Sequence, residues 1–208
     1  GRGGFGLNVK GGGLPEIDLD AAQYRLAGDG LVAGLSLKAK GGFGPVSGGA
    51  IDAAGELKIA GGRTTFAASR CVVAAAVHVE LGENDLERVD GTLCPAGGPL
   101  LTVDGPGWRL HGQAQGLSGD LPATELHVAE GAGLVDLSGA GEDLHGRVVV
   151  AGARVSDAAA ETRFRPVNAA GELKAARGEW TGTFSLSDLA GRRLADGNLT
   201  QGRDGRGG

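Results

Sequence analysis

The two cysteines, Cys71 and Cys94, are the residues of this chain whose type and spacing could carry chemistry. Val77 and Val79 alternate with polar residues after Cys71, which is the two-residue period of a half-buried strand. Cys94 precedes Pro95, which does not easily continue a strand ladder, so Cys94 lies where a strand stops. A hairpin between these two strands would bring the thiols together.

The spacing leaves several interpretations of this pair. A disulfide closing a loop of this length contributes roughly 3 kcal/mol on the chain-entropy estimate. No Cys-x-x-Cys redox motif occurs. A metal site would need His78 or His111 together with a fourth ligand that the spacing does not supply. We therefore predict a structural disulfide between Cys71 and Cys94 and no metal site, with a free or redox-active pair as the alternative.

The remaining candidate catalysts and ligands form no local motif. The four histidines never occur as His-x-His or His-x-x-x-His, which disfavours a metal pair. The run Gly28-Asp29-Gly30 imitates a nucleotide-binding glycine loop, but a strand-like segment follows it, so it predicts a hairpin turn. No Gly-x-Ser-x-Gly elbow occurs. The carboxylates fall in turns or on polar faces: Asp18, Asp20, Glu83, Asp85, Glu142 and Asp143. We predict that the chain is not an enzyme and needs no cofactor.

Composition bounds the fold and the partners. Of 208 residues, 42 are glycine and only 4% are aromatic, whereas glycine usually makes up about 7% of a protein. This composition favours many short strands and tight turns. Methionine is absent and the chain opens at Gly1, so we expect a segment of a longer protein. The net charge of -5 argues against a nucleic-acid partner, whose binding surface would be basic.

Alternation of apolar and polar residues is the dominant pattern, and turn residues punctuate it. It predicts an all-β, antiparallel meander of many short strands with one apolar face. A hairpin is expected to pair residues 126–128 with 135–137, and a capped turn of helix is expected at residues 156–161. The apolar face should carry Leu35, Leu37, Leu57, Ile59, Val77, Val79, Trp108, Leu110, Leu126, Val128, Val135, Leu137, Val148, Val150 and Phe184.

The sequence contains one weak internal repeat. Residues 53–58 (Ala-Ala-Gly-Glu-Leu-Lys) recur as residues 169–174. No sustained repeat of fixed length accompanies this echo. A solenoid would show such a repeat, so the pattern favours a meander.

Several short motifs carry a family resemblance that covers residues 70–199. They are Gly82-Glu83-Asn84-Asp85, Gly91-Thr92-Leu93-Cys94-Pro95, Gly98-Pro99-Leu100, residues 108–112, Arg163-Phe164-Arg165-Pro166, residues 178–184 and residues 191–195. This part of the chain resembles the YdbH-type intermembrane phospholipid-transport proteins of Gram-negative bacteria, in the wider AsmA-like group. Residues 1–69 show alternation without a recognised motif, and residues 200–208 are expected to be a frayed, glycine-rich end.

The resemblance implies a fold and a function. The fold would be a long periplasmic β-structure, anchored at the inner membrane by a segment outside this chain. Its strands would curl into an open groove, along which phospholipid acyl chains move between the inner and outer membranes. Membrane components would be contacted through other parts of the protein. The family has no catalytic residues to carry over.

The residues alone do not show what covers the apolar face. A second sheet would make a sandwich, whereas a ligand with its own apolar surface would make a groove. The low aromatic content favours a lining of leucine, valine and alanine suited to acyl chains. The alternative function is that of a secreted β-solenoid or sandwich of adhesin type, which would bind surfaces.

Overall fold

The computed structural model describes residues 1–11, 15–28, 30–43, 46–80, 85–141, 143–177 and 179–202. Fourteen antiparallel strands form one sheet. They are β1 (Arg2–Val9), β2 (Glu16–Ala27), β3 (Gly30–Phe43), β4 (Val46–Ala60), β5 (Arg63–Ala68), β6 (Val72–Val79), β7 (Leu86–Cys94), β8 (Leu101–Asp104), β9 (Gly107–Leu121), β10 (Leu126–Ala140), β11 (Asp143–Asp157), β12 (Val167–Ala176), β13 (Glu179–Ser187) and β14 (Arg193–Gln201).

The strand order is an up-and-down meander. At its centre, two positions in the sheet are each filled by two short strands that lie end to end, and we call these positions the interrupted lines. One half of β4 pairs with β5 and the other half with β6, so β5 and β6 lie end to end along the same edge. In the same way, β8 and β7 lie end to end along β9. Apart from the pairing of β5 with β8, every other neighbour in the sheet is also a neighbour in sequence. The sheet therefore has twelve lines, of which the fifth and sixth are interrupted.

The sheet is thin and open, as the surface area shows. The protein exposes 12358 Å² to solvent, whereas a compact protein of 20.7 kDa would expose roughly 8,900 Å². The buried set among the described residues consists mostly of alanines, including Ala21, Ala33, Ala53 and Ala114, and no large side chain there is fully buried. Two packed sheets would enclose large side chains between them, so this burial pattern is that of a single layer.

The structure confirms the predicted all-β class and corrects two local predictions. Residues 126–128 and 135–137 are not two arms of a hairpin, because both belong to the single strand β10. Glu130 has a φ of 55°, and the register shifts beside it, so a bulge lies where the hairpin turn was expected. Residues 156–161 form no helical turn: β11 continues to Asp157, and residues 158–161 are irregular. One short 3-10 helix, Pro122–Thr124, occurs in the described chain.

Three sequence predictions concern residues outside the described ranges. The acidic turn at Gly82-Glu83-Asn84 and most of the expected frayed end, residues 203–208, cannot be compared with the structure. Asp29 also lies outside the described residues. However, β2 and β3 pair antiparallel on either side of Gly28, so the glycine run there joins two strands.

No separation into units occurs at residues 69 and 70, because β4 pairs with strands on both sides of that point.

Candidate functional site

Cross-strand register places the apolar residues on one face of the sheet. Directly paired residues of antiparallel strands share a face. Leu57 of β4 pairs with Phe66, which pairs with Leu101, and this line continues through Leu110 to Leu137. A second line joins Leu7, Leu19, Leu37 and Ala53. We call this side the apolar face and the opposite side the polar face.

Most of the predicted lining residues lie on the apolar face. Further pairs lie outside these two lines. Val148 pairs directly with Leu173, Val150 pairs with Gly171, and Gly171 pairs with Phe184. On the N-terminal side of the bulge at Glu130, Val128 pairs with Val155, and Leu126 pairs with Leu121 on one side and Asp157 on the other. The residues placed together by register are Leu35, Leu37, Leu57, Ile59, Trp108, Leu110, Leu126, Val128, Val135, Leu137, Val148, Val150 and Phe184.

The two valines of β6 differ from each other. Val79 pairs with Val46 and Leu86, so it joins an apolar line near the end of its strand. Val77 is 64% exposed and its side chain lies against Gly48, whose φ is 59°. The register therefore does not place Val77 in an apolar line, and its role as a lining residue stays a prediction. The register is irregular beside Gly48, and this interrupts the simple two-residue alternation that the sequence suggested.

A cavity of about 400 Å³ lies on the apolar face at the centre of the sheet. Its walls come from β4, β6, β7, β9 and β10, which are neighbours in the sheet, so these strands curve around it. Small residues make the space, and larger apolar side chains border it. The small residues are Ala74, Ala76, Gly91 and Ala114, and the larger ones include Val46, Ile51, Leu93, Leu110, Leu117 and Val135.

Sequence reasoning missed the small residues of this cavity. Ala74 and Ala76 lie in the run Val-Val-Ala-Ala-Ala of β6, which has no polar partner to show the alternation. Phe66 and Leu101 were also missed, although Leu101 is 36% exposed on the apolar face. The pairing between β5 and β8 shows that Phe66 and Leu101 share the apolar face. This pairing is long-range, so the local sequence does not indicate it.

Close backbone approach explains part of the glycine content. A Cβ atom on Gly133 would lie 1.8 Å from the carbonyl oxygen of Val149 in the next strand. A Cβ atom on Gly171 would lie 2.4 Å from the carbonyl oxygen of Thr183. Both glycines belong to the apolar face. Glycine therefore permits the close approach of neighbouring strands on this face.

The two echoed segments occupy equivalent settings. Residues 53–58 lie in β4 and residues 169–174 in β12. A Cβ atom on Gly55 would meet the carbonyl oxygen of Ala67 at 2.3 Å, much as one on Gly171 would meet that of Thr183. In both segments the glycine lies where the next strand comes closest.

The predicted disulfide is present and lies at the break in the sheet. Cys71 precedes β6 and Cys94 ends β7, and the bond joins the two interrupted lines. Val72 pairs with Leu93 next to it, as the expected hairpin requires. Leu100 closes the remaining gap: its N–H donates to the carbonyl of Phe66, and its carbonyl accepts from His111 N–H. Only 4% of Leu100 is exposed.

The polar face carries exposed ion pairs. Arg109 donates from Nε and Nη2 to the two carboxylate oxygens of Asp136, at 3.0 and 2.8 Å. This contact lowers the pKa of Asp136 below its ordinary value and raises that of Arg109. His111 Nδ1 lies 3.6 Å from the same carboxylate. Because water reaches both side chains of the main pair, it contributes little to stability.

Two buried carboxylates anchor the end of the sheet where the longer connections lie. Asp157 accepts from Arg163 Nη2 at 2.7 Å and from the Ala159 N–H at 3.1 Å, and the side-chain and backbone hydrogen bonds of Arg163 hold its pKa well below the ordinary range. Asp120 lies 2.8 Å from His127 Nδ1 and 2.5 Å from Arg88. The hydrogen bond from His127 is the main cause of its lowered pKa, and Arg88 adds to it. The contacts of Asp157 fasten the following loop to β11, whereas those of Asp120 join β9 to β7 and β10.

The chemistry-bearing residues do not come together into a reactive centre in the part of the chain described. His78, His111 and His127 each lie near a different carboxylate. Groups of three or more potential metal ligands are absent among the described residues. No helix in the described ranges is long and apolar enough to span a membrane.

Comparison with known proteins returned no match. No family model, no curated protein and no solved structure matches the chain. The geometry of the two faces is therefore the basis for a functional proposal.

Proposed function

We propose that this chain is a segment of a non-enzymatic, lipid-conducting β-groove. The longer protein would move phospholipid between the inner and outer membranes of a Gram-negative bacterium. It would lie in the periplasm, anchored to the inner membrane by a segment outside this chain. The phospholipid acyl chains would travel on the apolar face.

One observation carries this proposal: a continuous apolar face lies on a single open layer. The line from Leu57 to Leu137 crosses five neighbouring strands without a charged residue. An acyl chain gains about 0.8 kcal/mol for each methylene group removed from water. A face of this kind, without a second sheet against it, offers that gain to a ligand.

The central cavity supports the proposal with a suitable local shape. Its volume of about 400 Å³ falls within the range of small-molecule sites, and its borders are almost wholly apolar. Alanine and glycine side chains leave room beside Leu110 and Val135. A flexible hydrocarbon chain can follow such a smooth, curved wall.

The disulfide between Cys71 and Cys94 supports the proposed compartment, because disulfides persist in oxidising compartments such as the periplasm. The adhesin-type solenoid has less support. Its stacked coils would repeat at fixed length, whereas the strands here follow an antiparallel meander.

Adjacent valines on opposite faces allow a matched test. Val150 lies on the apolar face, where it pairs with Gly171, and Val149 lies on the polar face, where it pairs with Glu172. A photo-crosslinking amino acid would replace each valine in the full-length protein in cells. We expect phospholipid to be captured from position 150 and not from position 149. The same contrast should hold between Leu137 and Ser138.

Capture from both faces would show non-specific contact, and capture from neither would contradict lipid conduction. Recovery of a protein or glycan partner from the apolar face would favour the adhesin-type alternative.

A further inference from the structure

Two arginines face each other across β1 and β2 on the polar face. Arg2 and Arg25 are directly paired in the register, and Arg25 continues through Val32 to Lys58 of β4. Like charges that lie directly opposite each other destabilise a pair of strands. The line thus concentrates positive charge in a chain whose net charge is -5.

Neither arginine is neutralised by a carboxylate among the described residues. Nine other described arginines each form an ion pair with aspartate or glutamate. Most of the described arginines therefore have an acidic partner. Within the described part of the chain, Arg2 and Arg25 lack such a pair and lie directly opposite each other.

A cleft of about 820 Å³ opens at these two arginines. Ala22 and Gly34 lie among its small lining residues, and Gln23 and Glu56 add polar side chains. Register shifts in β1 beside Gly3 and in β2 after Asp20 bend both strands here. Such bulges re-aim side chains, and they occur often beside binding sites.

We propose that this cleft binds a phosphate-bearing anion, held between the guanidinium groups of Arg2 and Arg25. The planar fork of arginine donors matches phosphate oxygens in a bidentate manner. An anion placed between the two cations removes their mutual repulsion, and the amide of Gln23 provides a further donor. Glu56 opposes an anion, so it sets a limit on the affinity.

This site goes beyond the proposed lipid groove, because it lies on the opposite face of the sheet. Its ligand chemistry has two possible sources. A free phosphate or phosphate ester would enter the cleft from solution, whereas a phospholipid headgroup would be met at a membrane surface.

Binding measurements on four proteins test the proposal. The wild type, Arg25→Gln, Glu56→Gln and the control Arg147→Gln would be titrated with inorganic phosphate by calorimetry at low ionic strength. The same proteins would be tested by flotation with phosphatidylglycerol vesicles and with phosphatidylcholine vesicles. Arg147 is a suitable control because it is an exposed arginine of the polar face, 3.8 Å from Glu172.

We expect Arg25→Gln to weaken binding about tenfold or more, since a charge-assisted hydrogen-bond donor is lost. Glu56→Gln should strengthen it, and Arg147→Gln should leave it unchanged. Binding of phosphate itself would identify a soluble ligand. Binding of phosphatidylglycerol vesicles alone, with the same dependence on Arg25 and Glu56, would identify a headgroup.

Absence of binding in both assays would overturn the proposal. Equal weakening by Arg25→Gln and Arg147→Gln would also overturn it, because the effect would then reflect net charge rather than this cleft. The opposite sign expected for Glu56→Gln keeps the test informative even if one arginine variant folds poorly.

Discussion

The two faces of the sheet are held together by different means. On the apolar face, strands approach so closely that glycines such as Gly133 leave no room for a side chain. On the polar face, long charged side chains such as Arg109 and Asp136 meet in water. Backbone packing cannot relax cheaply, whereas exposed ion pairs contribute little. Substitutions on the apolar face should therefore affect folding far more than substitutions on the polar face.

The largest expected effect comes from adding one methyl group to the apolar face. In Gly133→Ala, the new Cβ would lie 1.8 Å from the Val149 carbonyl oxygen, so two strands must move apart. We expect a loss at or beyond the upper end of the roughly 1–3 kcal/mol seen for overpacked interiors. Denaturant unfolding of the purified protein would measure it.

Gly152 in β11 provides the matched control. A Cβ atom there would meet nothing within 4 Å. Gly152→Ala should be neutral or stabilising by about 0.4–1 kcal/mol, because it restricts the unfolded chain. Equal losses in the two variants would contradict the argument that close approach, rather than glycine content, shapes the apolar face.

The second largest effect on stability should come from removing the disulfide that joins β6 to β7. Replacing Cys71 and Cys94 with serine should cost about 3 kcal/mol, because the unfolded chain regains the entropy of an open loop. For a protein of this size, that loss lowers the thermal midpoint by roughly 6–12 °C. Circular dichroism melts would measure the shift. Ready alkylation of both thiols in oxidised protein without reductant would show that the bond does not form.

The strands, the apolar face and the disulfide could be predicted because their signals are local. Alternation marks most of the strands, and the residues around Cys71 and Cys94 mark a strand start and a strand end. Single-residue irregularities were not predictable in this way. A left-handed residue such as Glu130 shifts the register without changing the composition of the strand, so β10 read as two arms of a hairpin.

The central cavity could not be predicted for a different reason. It depends on β5 and β6 sharing one edge of β4, which is a long-range pairing. Alanines such as Ala74 and Ala76 carry little pattern by themselves, because alanine is common throughout this chain. Their role arises only when curvature brings β6 and β10 to the same space.

The third effect compares charge placed on each face. In the open sheet, glutamates replacing Leu126 and Leu137 can reach water, so the double variant should fold with a loss of about 1 kcal/mol per site from reduced apolar contact. The loss should be larger at position 126, because Asp157 lies directly opposite it. Lipid passage should fall, because a charge in an apolar path is costly. Thermal melts and phospholipid crosslinking at Val150 would be measured together.

Ser138→Glu on the polar face, next to Leu137, is the control and should change neither quantity appreciably. Loss of the fold in the double variant would indicate that a second layer covers the apolar face, since two unpaired buried charges cost several kcal/mol.

The smallest expected effect belongs to the polar face and depends on pH. Arg109 lowers the pKa of Asp136 in the folded protein, so the pair stabilises the fold when that carboxylate is ionised. This contribution is present above the ordinary aspartate pKa of 3.8 and is lost as the pH falls through the lowered folded-state value. Arg109→Gln should therefore melt slightly below the wild type at neutral pH, and the gap should narrow in acid. The Arg109 side chain is 59% exposed, so the gap should also shrink in high salt. A large gap at neutral pH that persists in acid and in salt would mean that Arg109 acts through packing, and the contrast between the two faces would then weaken.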